Sequence, residues 1–521
     1  MANAQATDLE NPSSNDAGAV SSIDTNDAEV YSAFSVSQRY RILAIVATAG
    51  FLSTLSANIY FPALGVVQKD LHTTPELINL TVSLFMVFQG LSPSFWAPLA
   101  DLWGRRPVYL ATTTVYLAAN IALAVAPNYA SVLVLRMLQA FGSGPVVALV
   151  DVLATLQILQ SMFLTIAAAK VFHCIHFLTV YYRRGTFFGI YTSGFQLAFV
   201  FGPVLGGILA NSLGWRWIFW ILAILAGVLL LSVVFMLRET LRSLVGNGTG
   251  YANPTPTQWL HSRFKGTNET KTADTKRFRQ FPNMLKPLTY AFQPDVGLCL
   301  IYNGMSYSVF YAMLAAYSRL LETTYNLNEL HAGLCYIPTG IGCIVGSMLE
   351  GKILDRDFRI ISKQHGYDAK VLKRGNLDVD FPIYKARFRT ILFPHFIFDV
   401  TLILFGFMVY IKAPLAVILV FQFIFGYSST SIFIVFHTLL VDLYPNHTAS
   451  IAASNNIVRC LLGAAMTAAI EPGIAGIGVQ YMFLALGLIL MFSSLLLLVI
   501  QRNGPIWRRR RAELEKVQGI E

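Results

Sequence analysis

Long apolar stretches separated by short polar or basic loops constrain this chain more than any other feature. A helix of roughly twenty apolar residues crosses a bilayer, and in lipid the backbone must satisfy its own hydrogen bonds, so each stretch must be a helix. Measured by that length, spans fall near 41–62, 78–99, 108–126, 132–150, 186–209 and 216–237. A polar, basic stretch follows from Arg238 to about Lys286, where Gly246, Gly248, Pro254 and Pro256 break any long helix. Six more spans fall near 295–317, 331–354, 390–411, 415–437, 451–471 and 478–500. The pattern predicts an all-α membrane protein of twelve transmembrane helices in two six-helix halves.

Composition supports this class. The chain is 55% hydrophobic and 13% charged, whereas a soluble domain of 521 residues needs a far more charged surface. The net charge of +10 could point to nucleic acid, but the basic residues sit beside spans. Arg508 to Arg511 follow the last span directly, and Lys271, Lys276, Arg277 and Arg279 lie in the central loop. That is the positive-inside pattern, with some attraction to anionic lipid, and no nucleic-acid partner is expected. The five cysteines (Cys174, Cys299, Cys335, Cys343 and Cys460) show no CxxC pairing, which argues against a disulfide framework or a zinc site.

The basic residues set the orientation. With the N-terminus in the cytosol, inside loops hold Arg105, Arg106, Arg183, Arg184, the central cluster, Lys352, Arg356, Arg359, Lys373, Arg374, Lys385, Arg387 and the Arg508 run. Outside loops hold few, such as Lys69, Arg319 and Lys412. The expected organisation is a disordered cytosolic tail (1–40), a first half (41–237), a cytosolic central loop (238–290), a second half (291–500) and a basic cytosolic tail (501–521). Sequons at Asn247 and Asn268 would then face the cytosol and stay unglycosylated.

The turn Ala97-Pro98-Leu99-Ala100-Asp101-Leu102-Trp103-Gly104-Arg105-Arg106-Pro107 places an acid, a glycine and two arginines between two spans. Charge is costly inside a bilayer, so the cluster marks a membrane surface. Its pattern resembles the loop between the second and third spans of major facilitator superfamily transporters, G-x-L-A-D-R-x-G-R-R/K. Ala97 and Leu102 depart from it, while Asp101, Gly104, Arg105 and Arg106 are intact. Gly346 to Arg356, ending in Asp355 and Arg356, holds the same place in the second half. The resemblance implies a latch on the cytosolic side at Asp101, Gly104, Arg105, Arg106, Asp355 and Arg356.

Residues 151–183 do not fit. The stretch from Gly142 to Gly185 is about nineteen residues longer than its counterpart from Gly426 to Ser450, and its extra sequence is apolar enough to imitate a span. An added span would put the Arg508 run outside, against the charge rule. The preferred reading is an unspliced intron or mis-set exon boundary. The other is a genuine insertion that extends the fourth helix and lies along the membrane surface.

Arg136 lies early in the fourth span and, with Gln139 and Ala140, resembles the R-x-x-Q-G motif of proton-coupled members. A permanent charge there needs a partner and could lower the pKa of a nearby acid; the alternative is an arginine reaching the outer interface. Gly194, Gly202, Pro203, Gly206 and Gly207 match the antiporter motif of the fifth span, G-x(8)-G-P-x-x-G-G, which implies export. Small residues there also allow close helix contact. Leu237-Arg238-Glu239-Thr240 resembles the P-E-T ending of fungal drug:proton antiporters, with Arg238 in place of Pro. Matches at Asn58–Leu64, Ser92–Pro98, Asp355–Asp357, Asp380–Pro382 and Asn455–Arg459 narrow the likeness to the quinidine-resistance-type subgroup, over roughly 40–505 except 151–183.

Asp399 is the only acid near the middle of an expected span, with His395 one turn before it. It is the natural proton carrier, the alternatives being a structural Asp paired across helices or a span boundary that leaves it near the surface. Asp442 and Glu471, at span ends, are expected to cap or pair, and His437 to pack. Cavity candidates are Asn58, Tyr60, Gln89, Gln196, Tyr302, Asn303, Tyr307, Tyr336, Gln422 and Asn455, polar or aromatic groups on cavity-forming spans. No P-loop, triad, metal spacing or dinucleotide fingerprint is convincing, so no cofactor, metal or catalytic residue is expected and the energy must come from an ion gradient. The expectation is a monomeric plasma-membrane exporter of drugs or other amphipathic small molecules, working by proton antiport and alternating access. Alternatives are a dedicated exporter of a secondary metabolite, polyamine or spore-wall precursor, and a non-transporting product disabled by 151–183.

Overall fold

The computed structural model describes residues 36–153, 184–245, 252–265, 286–367, 378–444 and 448–517. The bundle helices are α1 (Val36–Asn58), α2 (Pro75–Trp103), α3 (Arg105–Ala124), α4 (Tyr129–Leu153), α5 (Arg184–Ser212), α6 (Arg216–Met236), α7 (Pro294–Tyr325), α8 (Ile337–Gln364), α9 (Leu392–Tyr410), α10 (Leu415–Leu443), α11 (Thr448–Ile477) and α12 (Val479–Val517). Eleven helical stretches among the described residues are long and apolar enough to cross a membrane. The helix α4 packs against α2 and α3 as a further member of the bundle. It continues through Leu153; the rest of the anomalous segment, both sequons and the central-loop lysines lie outside the described residues.

Local sequence explains where helices begin and how they bend. At the start of α2 the Thr74 hydroxyl accepts from the Leu77 N–H, Pro75 takes the first helical position and Glu76 sits in the first turn. Each satisfies or complements the unpaired N–H groups of a helix N-terminus. Pro93 and Pro98 lie inside the same helix. A proline has no N–H for the carbonyl four residues earlier, so Pro93 releases the carbonyl of Gln89. Asn456 Nδ2 of α11 donates to that carbonyl at 3.1 Å. A proline of one half thus supplies an acceptor to the other.

The halves meet through α2 against α11 and α5 against α8. Residues 86–90 of α2 face 456–467 of α11, which run the opposite way. The Trp103 end of α2 and the Thr448 end of α11 therefore share one side of the bundle. The first turns of α1 line a small pocket with the end of α6 on that side, which is called the terminal side below. Apolar side chains remain exposed along the outer rim, as at Trp217, Trp220, Ile224, Val228, Leu231 and Phe235 of α6. Their spacing of three and four residues makes one helical face, and so large an apolar stripe belongs against lipid chains rather than water.

Two expected boundaries shift. Helix α1 starts at Val36, inside the expected tail. Helix α12 runs on through Val517, although a tail was expected from 501. Pairing explains the second. Arg508 donates to the carbonyls of Phe381 and Asp378 (2.9 and 3.1 Å), Arg509 pairs with Asp380 (2.8 Å) and Arg511 with Asp295 (2.9 Å). Asp378 is held below the usual carboxylate range by the Asp380 N–H and the Tyr367 hydroxyl. The basic run clamps the second half on its terminal side.

Candidate functional site

A cavity lined by residues of both halves and partly open to solvent lies between them. Five of the ten cavity candidates line it: Gln89, Gln196, Asn303, Tyr307 and Asn455. Asn303 Nδ2 donates to Asn455 Oδ1 at 2.9 Å, and Gln196 Nε2 to the Thr430 hydroxyl at 3.4 Å across the halves. The aromatic wall is Phe195, Phe199, Tyr307, Phe310, Tyr311 and Phe433. Among the described lining residues the one formally charged side chain is Arg459 of α11. Asn456 Oδ1 accepts from its Nε (3.1 Å) and one Nη (2.8 Å), and the guanidinium lies over the rings of Tyr307 and Phe433. His437, expected to pack, is also on this wall.

The other five candidates do not line it. Asn58 donates to the carbonyl of Thr54 (2.7 Å) and packs against Gly202. Tyr60 is fully buried under Arg136 and against Phe219. The Tyr302 hydroxyl sits 2.6 Å from His395 Nδ1, Tyr336 donates to the carbonyl of Leu314 (2.7 Å), and Gln422 accepts from Thr339 (2.7 Å). Each is consumed by an interhelical or backbone hydrogen bond.

The side away from the termini is closed by contacts across the halves. Lys69 pairs with Glu322 there, and Gly207 of α5 lies against Gly333 of the short helix Glu329–Leu334. A β-carbon at Gly206 would overlap the carbonyl of Ile59, so the two small residues of the antiporter motif permit the close approach of α5 to both halves. Gly202 packs on Asn58, Pro203 lies within α5, and Gly194 meets no neighbour that a β-carbon would touch. Glu471 pairs with Arg319 on the same side, as expected for a span-end acid.

On the terminal side the turn between α2 and α3 is held by a residue assigned no gate role from sequence. The carboxylate of Glu239, 4% exposed, accepts from the backbone N–H of Arg105 (2.9 Å), Arg106 (3.2 Å), Thr240 (2.9 Å) and Leu241 (3.1 Å), and from Asn253 Nδ2 (3.0 Å). Gly104 adopts φ 104° and ψ 156°, and a β-carbon there would strike Glu239 and Asn253. Only glycine takes that conformation readily. Arg106 is buried and donates to the carbonyls of Val234 (2.9 Å), Asn253 (3.0 Å) and Pro254 (2.7 Å). Val234 belongs to its own half, and Asn253 and Pro254 to the central loop that follows it. Asp101 is exposed and Arg105 half-buried, with no ion pair between them among the described residues.

The second-half counterpart differs. Asp355 is buried and Arg356 exposed, while Asp357 accepts from Thr390 (2.9 Å) near Arg389. The most deeply buried pair among the described residues is Arg387 with Asp442 at 2.8 Å, which fits the expectation that Asp442 pairs.

Arg136 is 1% exposed, so it does not reach the interface. Its guanidinium lies between the rings of Phe85 (4.2 Å) and Tyr60 (4.4 Å), and one Nη donates to Gln139 (2.7 Å), which in turn donates to Asn120 (2.7 Å). The acid expected beside it is not found: no carboxylate lies within ion-pair distance among the described residues, and Nε and the second Nη find no hydrogen-bond partner. Asp399 is 5% exposed and stands behind the cavity wall rather than on it. His395 Nε2 is 3.2 Å from Asp399 Oδ2 in a geometry short of a hydrogen bond, so Nε2 finds no hydrogen-bond partner, and neither does Asp399 Oδ1. The chain Tyr302–His395–Asp399 lies behind the cavity wall, beginning at a tyrosine whose neighbour in sequence, Asn303, lines the cavity.

The Major Facilitator Superfamily model matches residues 46–467. Citrate exporter 1 of Aspergillus niger is 36% identical over 485 residues, covering 92% of this chain and 88% of that protein. Multidrug transporter QDR2 of Candida glabrata is 31% identical over 505 residues, covering 92% and 83%. Among solved structures, the human organic anion transporter MFSD10 (TETRAN) superposes with a TM-score of 0.56 at 14% identity, over 88% of this chain and 99% of that one. The last likeness concerns the fold.

Proposed function

The chain belongs to the Major Facilitator Superfamily and is a multi-pass membrane transporter rather than an enzyme, and from that premise we propose that it exports amphipathic organic molecules in exchange for protons. The observation that carries this reading is the aromatic-lined cavity between halves whose far side is closed. Flat aromatic walls with a few amides suit varied apolar bodies, because dispersion and stacking demand little exact geometry. The match of Gly202 to Gly207 to the antiporter motif and the citrate exporter among the relatives support the outward direction. The basic loops support a cytosolic terminal side, and a plasma-membrane location follows from the export reading. In this conformer the carrier has its far side shut and awaits cargo from the cytosol.

Two buried groups are assigned to proton coupling. Asp399 would take the proton, with His395 and Tyr302 as the relay from the cavity wall. Arg136 is the candidate in the first half, a buried cation whose unsatisfied N–H groups favour an anion or water beside them. The terminal-side cluster of Asp101, Gly104, Arg105 and Arg106, with Asp355 and Arg356, would set how far that side opens.

Membrane vesicles with the cytosolic face outward test the reading. With an acid interior, uptake over a panel of amphipathic compounds and citrate should depend on the gradient and collapse with a protonophore. Asp399→Asn should remove that dependence while leaving insertion unchanged. Uptake indifferent to the protonophore would refute antiport.

A further inference from the structure

Within that export reading, we infer that Arg459 receives a carboxylate or similar monoanionic group of the carried molecule, so that the preferred cargo is an amphipathic organic anion. The wall of the cavity carries this guanidinium and, among its described residues, no Asp or Glu. A cation on a protein wall only partly open to solvent creates a positive potential that is screened less than in bulk water. An anionic ligand gains from that potential and a cationic one is opposed by it.

The surroundings form a built site. Asn456 Oδ1 accepts from Nε and one Nη, which fixes the plane of the group between Tyr307 and Phe433. A guanidinium presents five N–H donors in a planar fork suited to a carboxylate. Asn303 and Asn455 lie on the same wall, tied to each other, and the ring of Tyr307 packs tilted against Tyr311 with centroids 4.5 Å apart. A ligand with a carboxylate at Arg459 and a flat apolar body against Tyr311 and Phe310 would use both features. Asn456 also donates to the Gln89 carbonyl of the other half. The residue that orients the anion site therefore touches the contact between halves.

The test uses the full chain in lipid nanodiscs and three probes of one shape and different charge: 1-naphthylacetate, 1-naphthylacetamide and 2-(1-naphthyl)ethylammonium. Binding to the unaltered protein should rank acid over amide over ammonium, with the acid about tenfold or more tighter than the amide, as a charge-assisted pair predicts. Arg459→Gln should bring the acid-to-amide ratio near one, and Arg459→Lys should restore part of it. The inference is overturned if the unaltered protein binds none of the three, binds amide or ammonium as tightly as the acid, or if Arg459→Gln keeps the ratio. The unaltered protein alone decides should the Gln variant fail to fold. Vesicle uptake of the same probes separates this from the broader reading. Gradient-driven uptake with a flat charge preference would sink only the anion site, and absent uptake would sink the export reading.

Discussion

Removing the carboxylate of Glu239 should loosen the terminal-side turn more than any change to the arginines beside it. That carboxylate accepts four backbone N–H groups and the Asn253 amide, and two of those N–H groups open α3. In Glu239→Ala the four backbone N–H groups lose their acceptor, while Asn253 Nδ2 keeps the carbonyl of Trp103 at 3.0 Å. An orphaned buried donor costs about 1–3 kcal/mol, and water reaching this membrane-surface site favours the low end, so the sum is about 4 kcal/mol. Glu239→Gln keeps one carbonyl oxygen but points an amide N–H₂ at donors and removes the charge facing a helix N-terminus, for about 2 kcal/mol. With roughly 2–4 °C per kcal/mol for units of 150–250 residues, the Gln variant should melt about 4–8 °C lower and the Ala variant further still. Thermal unfolding of purified protein in detergent reads both. A Gln variant within about 1 °C of the unaltered protein, or an Ala variant no worse than Gln, would refute the reasoning.

Two further changes test the packing. Asp442→Asn should cost about 3–5 kcal/mol by leaving Arg387 charged in a fully buried site, whereas replacing both by apolar residues should cost less; surface abundance and melting check the order. Gly207→Leu should force Gly333 away and open the far side, so cross-linking of cysteines placed by K69C and E322C should fall from the yield in an otherwise unaltered chain, and equal yields would count against the close approach.

The helical bundle was legible because a bilayer admits so few backbone solutions, and the two-halves plan followed from counting spans. Which face of a span looks inward was not legible. A helix apolar all round carries no stripe to read, and Tyr302 and Asn303 are adjacent in sequence yet one lies behind the wall and the other on it. Glu239 could be picked out by its likeness to an antiporter ending, but its acceptor role depends on backbone N–H groups more than a hundred residues away. Arg459 stood in plain sight within the Asn455–Arg459 match. Sequence offered no reason to assign it, since its distance from the cavity depends on the rotation of α11.

That rotation joins the substrate question to the motion. The Asn456 side chain gives its oxygen to Arg459 and its N–H₂ to the carbonyl released by Pro93. An amide is rigid, so shifting the guanidinium toward a ligand displaces the donor that ties α11 to α2. Alternating access requires that contact to change as the halves rock. A proline in one half and an asparagine in the other thus place an inter-half hydrogen bond one side chain away from the only formal charge among the described residues of the cavity wall. On this geometry, occupancy at Arg459 and the strain on the α2–α11 contact vary together, and an Asn456→Ala variant should lose transport rate more than ligand affinity. Equal loss of both in paired binding and uptake measurements would place Asn456 in the binding site alone.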